Sequence, residues 1–86
     1  MSDRKPEKFI SAWGVIEWRL DGDLHRDDGP AMEFPDGTKL YYSNGLLHRD
    51  GGEPAIECPN GYKVWYDHGR PYRSEEPREP RERESA

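Results

Sequence analysis

Sulfur is scarce in this chain: among 86 residues there is one cysteine, Cys58. One thiol cannot close an intrachain disulfide or build a cysteine-rich zinc site, so a reducing, cytoplasmic setting is the simplest reading. Long apolar runs are missing too. No segment reads as a membrane span, and Met1-Ser2-Asp3-Arg4-Lys5 leads into no apolar core of a signal peptide. Hydrophobic residues make up only 31% of the chain, which leaves room for a small core and no more than one domain.

Positive charge is also in short supply. Thirteen Lys and Arg stand against eighteen Asp and Glu, for a net charge of −5. The excess lies mainly in residues 9–73, which carry −4, with +1 in residues 1–8 and −2 in residues 74–86. Direct nucleic-acid binding and docking on anionic lipid both need a basic footprint, so neither is expected. The balance suits a protein partner with a basic surface, and equally a domain that uses charge to stay in solution.

Familiar chemistry is absent from the motifs. Ser2, Ser11, Ser43, Ser74 and Ser85 sit in no nucleophile motif, and every glycine has a turn to explain it, so no phosphate-cradling loop is read. His25 and His48, each followed by Arg-Asp, are the obvious candidates for a metal or acid/base site. A zinc site needs three or four converging ligands. Two histidines one repeat apart are separated by a hairpin, and the third copy has Tyr72 there. No catalytic residue, cofactor or metal is therefore expected.

What the sequence does contain is a repeat. Leu24-His25-Arg26-Asp27-Asp28-Gly29-Pro30-Ala31-Met32-Glu33-Phe34-Pro35-Asp36-Gly37 recurs, with one extra loop residue, as Leu47-His48-Arg49-Asp50-Gly51-Gly52-Glu53-Pro54-Ala55-Ile56-Glu57-Cys58-Pro59-Asn60-Gly61. The match continues through Lys39/Lys63, Tyr42/Tyr66 and Gly45/Gly69. Self-similarity at this period marks a repeat architecture. Each unit reads as short strands joined by Pro-Asp-Gly or Pro-Asn-Gly, with Gly37 and Gly61 at positive φ. Asn44-Gly45 is a strong signal for a tight hairpin turn, and Gly22 and Gly69 hold the same place in the other copies.

In the Pro-x-Gly hairpins Glu33 should face Lys39 and Glu57 should face Lys63, each pair contributing roughly 0.2–1 kcal/mol. Alternation puts Met32, Phe34, Leu40 and Tyr42, then Ile56, Cys58, Val64 and Tyr66, on one face, read as the core. Cys58 aligns with Phe34 and reads as a small buried hydrophobe. The other face carries Ala31, Glu33, Lys39 and Tyr41, then Ala55, Glu57, Lys63 and Trp65. There Trp18, Tyr41 and Trp65, each four residues before a turn glycine, form an aromatic ladder. The rings either pack on each other or under the next loop, or offer a partner-binding face together with the acidic loop residues Asp27, Asp28, Asp50 and Glu53. His25, Arg26, His48 and Arg49 recur with the unit and are read as structural, tying one hairpin to the next.

Three segments follow: a polar lead over residues 1–8, a hairpin-repeat domain over 9–73 whose first strand runs from Phe9 to Leu20, and a Pro-, Arg- and Glu-rich tail over 74–86 that reads as disordered.

The Tyr41-Tyr42-Ser43-Asn44-Gly45-Leu46-Leu47-His48 stretch and the 23-residue period resemble the MORN (membrane occupation and recognition nexus) repeat. The His-Arg-Asp-x-Gly-Pro-Ala continuation resembles a variant found in bacterial, phage and giant-virus arrays. The resemblance covers about residues 16–73, two and a half units. It implies an all-β, open antiparallel meander of stacked hairpins and a non-enzymatic scaffold or binding role. Arg26 and Arg49 depart from the pattern by replacing its second glycine. So short an array needs caps, supplied by residues 9–20 or by a homodimer that buries one face, and the acidic balance does not support the family's lipid binding. The function expected is a protein-interaction module. Its sharper form is a small acidic phage-encoded inhibitor of a bacterial defence complex, of the anti-CRISPR type, that occupies a basic nucleic-acid channel by charge mimicry. The alternative is a structural, oligomerising repeat protein.

Overall fold

A computed structural model describes residues 5–77. These residues form an all-β, antiparallel meander in a thin slab, with extents of 60 × 32 × 16 Å. The strands are β1 Glu7–Ile10, β2 Ile16–Leu20, β3 Asp23–Leu24, β4 Met32–Glu33, β5 Lys39–Leu40, β6 Tyr42–Ser43, β7 Leu46–Leu47, β8 Ile56–Glu57, β9 Lys63–Asp67 and β10 Arg70–Glu75. The main sheet runs β1-β2-β4-β5-β8-β9-β10, with β3 paired to the end of β2, and β6-β7 stands as a separate hairpin.

Two turn types, both set by local chemistry, build it. At Asp21-Gly22, Asn44-Gly45 and His68-Gly69 both central residues have positive φ, 56° and 88°, 52° and 84°, and 49° and 88°. That is the type I′ geometry whose twist matches paired strands. The second turn is tied by Gly37 N–H to Phe34 O and Phe34 N–H to Thr38 O, and repeats with Gly61, Cys58 and Tyr62. In each, the residue before the glycine accepts a backbone N–H: Asp36 Oδ1 from Thr38 at 2.9 Å and Asn60 Oδ1 from Tyr62 at 3.0 Å. The same ties recur at Gly14 to Ser11 and Ser11 to Val15.

That third occurrence corrects the expectation of one strand from Phe9 to Leu20. The chain reverses at Ser11–Val15, and β1 pairs with β2 in register Ile10↔Ile16, Phe9↔Glu17, Lys8↔Trp18 and Glu7↔Arg19. Gly14 supplies the positive φ, 85°, and Ser11 Oγ accepts the Trp13 and Val15 N–H groups in place of the missing Asp or Asn. Residues 7–19 are thus a further hairpin of the same kind. The strand begins at Glu7, inside the expected lead; Met1–Arg4 lie outside the described residues. At the other end Ser74 and Glu75, assigned to the tail, belong to β10. The remainder of the tail from residue 78 lies outside the described residues.

Register puts Ile16, Glu33, Lys39, Glu57, Lys63 and Glu75 in one row across the sheet. The two expected Glu–Lys pairs therefore sit in an alternating-charge ladder, with Lys39↔Glu57 and Lys63↔Glu75 as further rungs. Beside it runs a second row: Lys8, Trp18, Ala31, Tyr41, Ala55, Trp65 and Arg73, followed through strand register and the bonds from Trp18 N–H to Ala31 O and Tyr41 N–H to Ala55 O.

This second row corrects the assignment of the core. Ala31, Ala55 and Trp65 are buried, with Trp65 only 6% exposed. On the face read as core, only Val64 is buried; Met32, Phe34, Leu40, Tyr42, Ile56, Cys58 and Tyr66 are half-buried. The reason lies in what covers the alanines. A small residue between two aromatic rings disappears when long side chains lie across the rings, and arginines do so here.

Candidate binding site: the His-Arg-Asp loops

The His-Arg-Asp triplets are divided by direction. Arginine stems are long and apolar enough to lie along a surface, and Arg26 and Arg49 fold back over the ring eight residues earlier. The Arg26 Cζ lies 4.1 Å from the Trp18 ring centroid and the Arg49 Cζ 3.7 Å from that of Tyr41. Arg73 repeats the stacking at 4.3 Å over Trp65. Each loop arginine also reaches the proline that leads into the next hairpin: Arg26 Nη1 donates to Pro30 O at 3.2 Å and Arg49 Nη1 to Pro54 O at 3.0 Å. Arg49 additionally pairs with Glu57 at 3.1 Å. Ring, guanidinium and proline carbonyl form one stacked joint per unit.

The histidines make a second joint. His25 Nδ1 accepts the Asn44 N–H at 2.9 Å, and His48 Nδ1 accepts the His68 N–H at 3.0 Å. Beside them, Gly45 N–H donates to Leu24 O at 2.8 Å and Gly69 N–H to Leu47 O at 2.7 Å. The Asn44-Gly45 and His68-Gly69 turns are therefore each docked onto the strand that leaves the previous type I′ turn. With Nδ1 accepting, the neutral ring carries its proton on Nε2, which faces Asp27 at 3.1 Å in the first loop and Asp50 at 2.8 Å in the second. The histidines and arginines thus sit at contacts between successive hairpins, and Gly22, Gly45 and Gly69 at the type I′ turns.

The carboxylates point the other way. Asp27, Asp28 and Asp50 each give one oxygen to His25, Arg26 or His48, yet their side chains are 84, 86 and 92% exposed. Together with Tyr41, Tyr42, Ser43, His48 and the two arginines they line an open groove of about 470 Å³ between the successive loops. Of the seven residues singled out for partner contact, the groove brings together Asp27, Asp28, Asp50 and Tyr41. Trp18, Trp65 and Glu53 do not line it. Trp65 is a correction: its ring lies under Arg73, its Nε1–H donates to Gly52 O at 2.9 Å, and little of it is left for a partner. Trp18 and Tyr41 are also plated by arginine, so the ladder acts first as packing.

Sequence reasoning missed a further group. The His48 and His68 rings stack with centroids 3.9 Å apart and planes at 27°. Asp67 Oδ1 lies 2.8 Å from His68 Nδ1 and 3.5 Å from His48 Nδ1. The available signal was the replacement of Ser43-Asn44 by Asp67-His68 at an otherwise matching turn.

No protein-family model matches the chain, and neither a curated protein nor a solved structure does. Among the described residues no helix is long and apolar enough to cross a membrane.

Proposed function

We propose that the chain is a non-enzymatic protein-interaction module that presents the carboxylates of its His-Arg-Asp loops to a basic surface on a protein partner. One observation carries this reading: within each loop the cation is turned inward and the anion outward. Arg26 and Arg49 are engaged by rings and proline carbonyls, whereas Asp27, Asp28 and Asp50 stand in solvent around one groove. A loop of nearly balanced composition thereby acquires an acidic exterior. The contacts from His25, Arg26 and His48 hold the carboxylates in place, which lowers the ordering cost when a cationic surface docks. The resemblance to MORN-like arrays supports the same scaffold role.

In its sharper form the module is a phage-encoded inhibitor of a bacterial defence complex, of the anti-CRISPR type, covering a basic nucleic-acid channel. Small size, acidic balance and the type of repeat support this form. Reversing charge in Asp27→Lys, Asp28→Lys and Asp50→Lys tests the reading by affinity capture from host lysate at graded salt. The expected outcome is loss of a wild-type partner that handles nucleic acid, with capture by the wild type weakening as salt rises. Retention of that partner by the folded triple variant contradicts the proposal.

A second reading, an oligomerising structural protein, draws support from the first hairpin. There Ile10 is 62% and Trp13 82% exposed, although the equivalent positions carry Glu33 or Glu57 and Asp36 or Asn60. Sedimentation separates the two readings: a monomer at working concentration removes the second.

A further inference from the structure

The two loop-to-turn joints differ in one respect. At the first, His25 meets the turn Ser43-Asn44-Gly45; at the second, His48 meets Asp67-His68-Gly69. Asn is a residue of choice at the first central position of a type I′ turn, where φ is positive. His68 holds that place at φ 49°, so its imidazole stands in a conformation better suited to Asn. Asp67, in place of Ser43, sets a carboxylate between the two Nδ1 atoms.

We infer that His48, Asp67 and His68 form a binding site for a divalent transition-metal ion of the imidazole-preferring kind, with Zn²⁺ as the probe. Three observations carry it. The donor atoms of the three residues lie within 4.8 Å of one another, a spread that a small ion drawing each to roughly 2.0–2.2 Å closes with modest side-chain rotation. The donor set of two imidazoles and a carboxylate suits Zn²⁺, Ni²⁺ or Cu²⁺ and not Mg²⁺ or Ca²⁺, which favour all-oxygen shells. One ligand is anchored and two are adjustable: the His48 side chain is 13% exposed, whereas those of His68 and Asp67 are 63 and 67% exposed.

On binding, the ion takes the place of the proton that His68 Nδ1 shares with Asp67, that proton passing through water to Nε2 of the same ring, and it draws the His48 Nδ1 lone pair from the His68 N–H. That backbone group is solvent-accessible at the exposed turn and passes to water. Three protein ligands leave an open coordination position for water or for a side chain of a partner. The ion would neutralise Asp67 and lock the last type I′ turn to the loop before it.

The test is direct because the chain has three histidines. Zn²⁺ is added to the metal-free protein, with calorimetry for stoichiometry and imidazole proton NMR to identify the rings involved. The expected result is one equivalent bound, with the His48 and His68 resonances shifting and those of His25 unmoved, and no response to Mg²⁺. His68→Asn, and the double change Asp67→Ser with His68→Asn, recreate the first joint and should preserve the fold while abolishing the one-equivalent step. Absence of a step in the wild type, equal binding by His68→Asn, or a shift confined to His25 overturns the assignment.

Discussion

Arg49 lies over Tyr41, its Cζ 3.7 Å from the ring centroid, and from there donates to the carbonyl of Pro54 at the entry to the next hairpin. One side chain thus closes the face of its own hairpin and fastens the next. In a sheet 16 Å thick, with no large side chain fully buried among the described residues, such joints stand in for a deep core. Cation–π stacking contributes about 0.5–2 kcal/mol and a hydrogen bond about 0.5–1.5 kcal/mol. Arg49→Ala should destabilise the fold by about 2 kcal/mol in urea unfolding, from these terms. Arg49→Lys keeps the charge but not the planar fork and should recover only part of the loss. A neutral result for Arg49→Ala would place the stability elsewhere.

Among the described residues His25 is the only polar one that is buried, at 8% exposure, and its acceptor serves the Asn44 N–H. The donor it serves belongs to an exposed turn residue, so His25→Ala should cost about 0.5–1.5 kcal/mol, the range for one lost hydrogen bond. Hydrogen exchange should quicken most at the Asn44 amide. Exchange unchanged there would show that the turn holds without the histidine.

The first hairpin has the hydrogen bonds of a Pro-Asp-Gly turn without its proline. Ala12 occupies the place of Pro35 and Pro59. Ala12→Pro should raise stability by about 0.4–1 kcal/mol by restricting the unfolded chain, read as a higher thermal midpoint. A fall in the midpoint would show that the backbone at residue 12 differs from that of its counterparts.

The Thr38 backbone N–H, followed by its side chain, donates to Asp36 and holds that carboxyl below its ordinary value of 3.8. A depressed folded pKa stabilises above the unfolded value, and the contribution is lost as pH falls through the folded one. Asp36→Asn, which copies Asn60 of the next unit, keeps the acceptor and removes the titration. The stability difference between wild type and Asp36→Asn should therefore stay constant above pH 3.8 and shift against the wild type below it. A constant difference throughout would contradict the assignment.

Much of the fold was legible because its signals are local. Asn44-Gly45 announces a type I′ turn, Gly37 and Gly61 announce theirs, and the Glu33–Lys39 and Glu57–Lys63 pairings follow from turn length. The first hairpin was hidden because Ala12-Trp13-Gly14 lacks the proline and the Asx residue, so that β1 and β2 read as one alternating strand. The buried face was misassigned because alternation counts apolar residues and cannot see a guanidinium folded over a ring. That contact turns Ala31 and Ala55, nearly silent in sequence, into the most buried positions of the sheet. The candidate site at His48 was half visible: Asp67 and His68 stand at the far end of the same unit, 19 and 20 residues on, and only the docking of that turn onto Leu47 brings them together.

The proposed binding to a basic partner rests on cations turned inward and carboxylates turned outward within each His-Arg-Asp loop. The decisive test is affinity for the captured partner as a function of salt, for wild type, the Asp27→Lys, Asp28→Lys, Asp50→Lys variant and Arg49→Lys. Wild-type affinity should fall steeply with salt, and the triple reversal should abolish binding while the fold persists. Arg49→Lys, which alters an inward-facing cation, should change stability and leave the salt dependence intact. Salt-independent binding, or binding that survives the triple reversal, would contradict this division of charge as the basis of recognition.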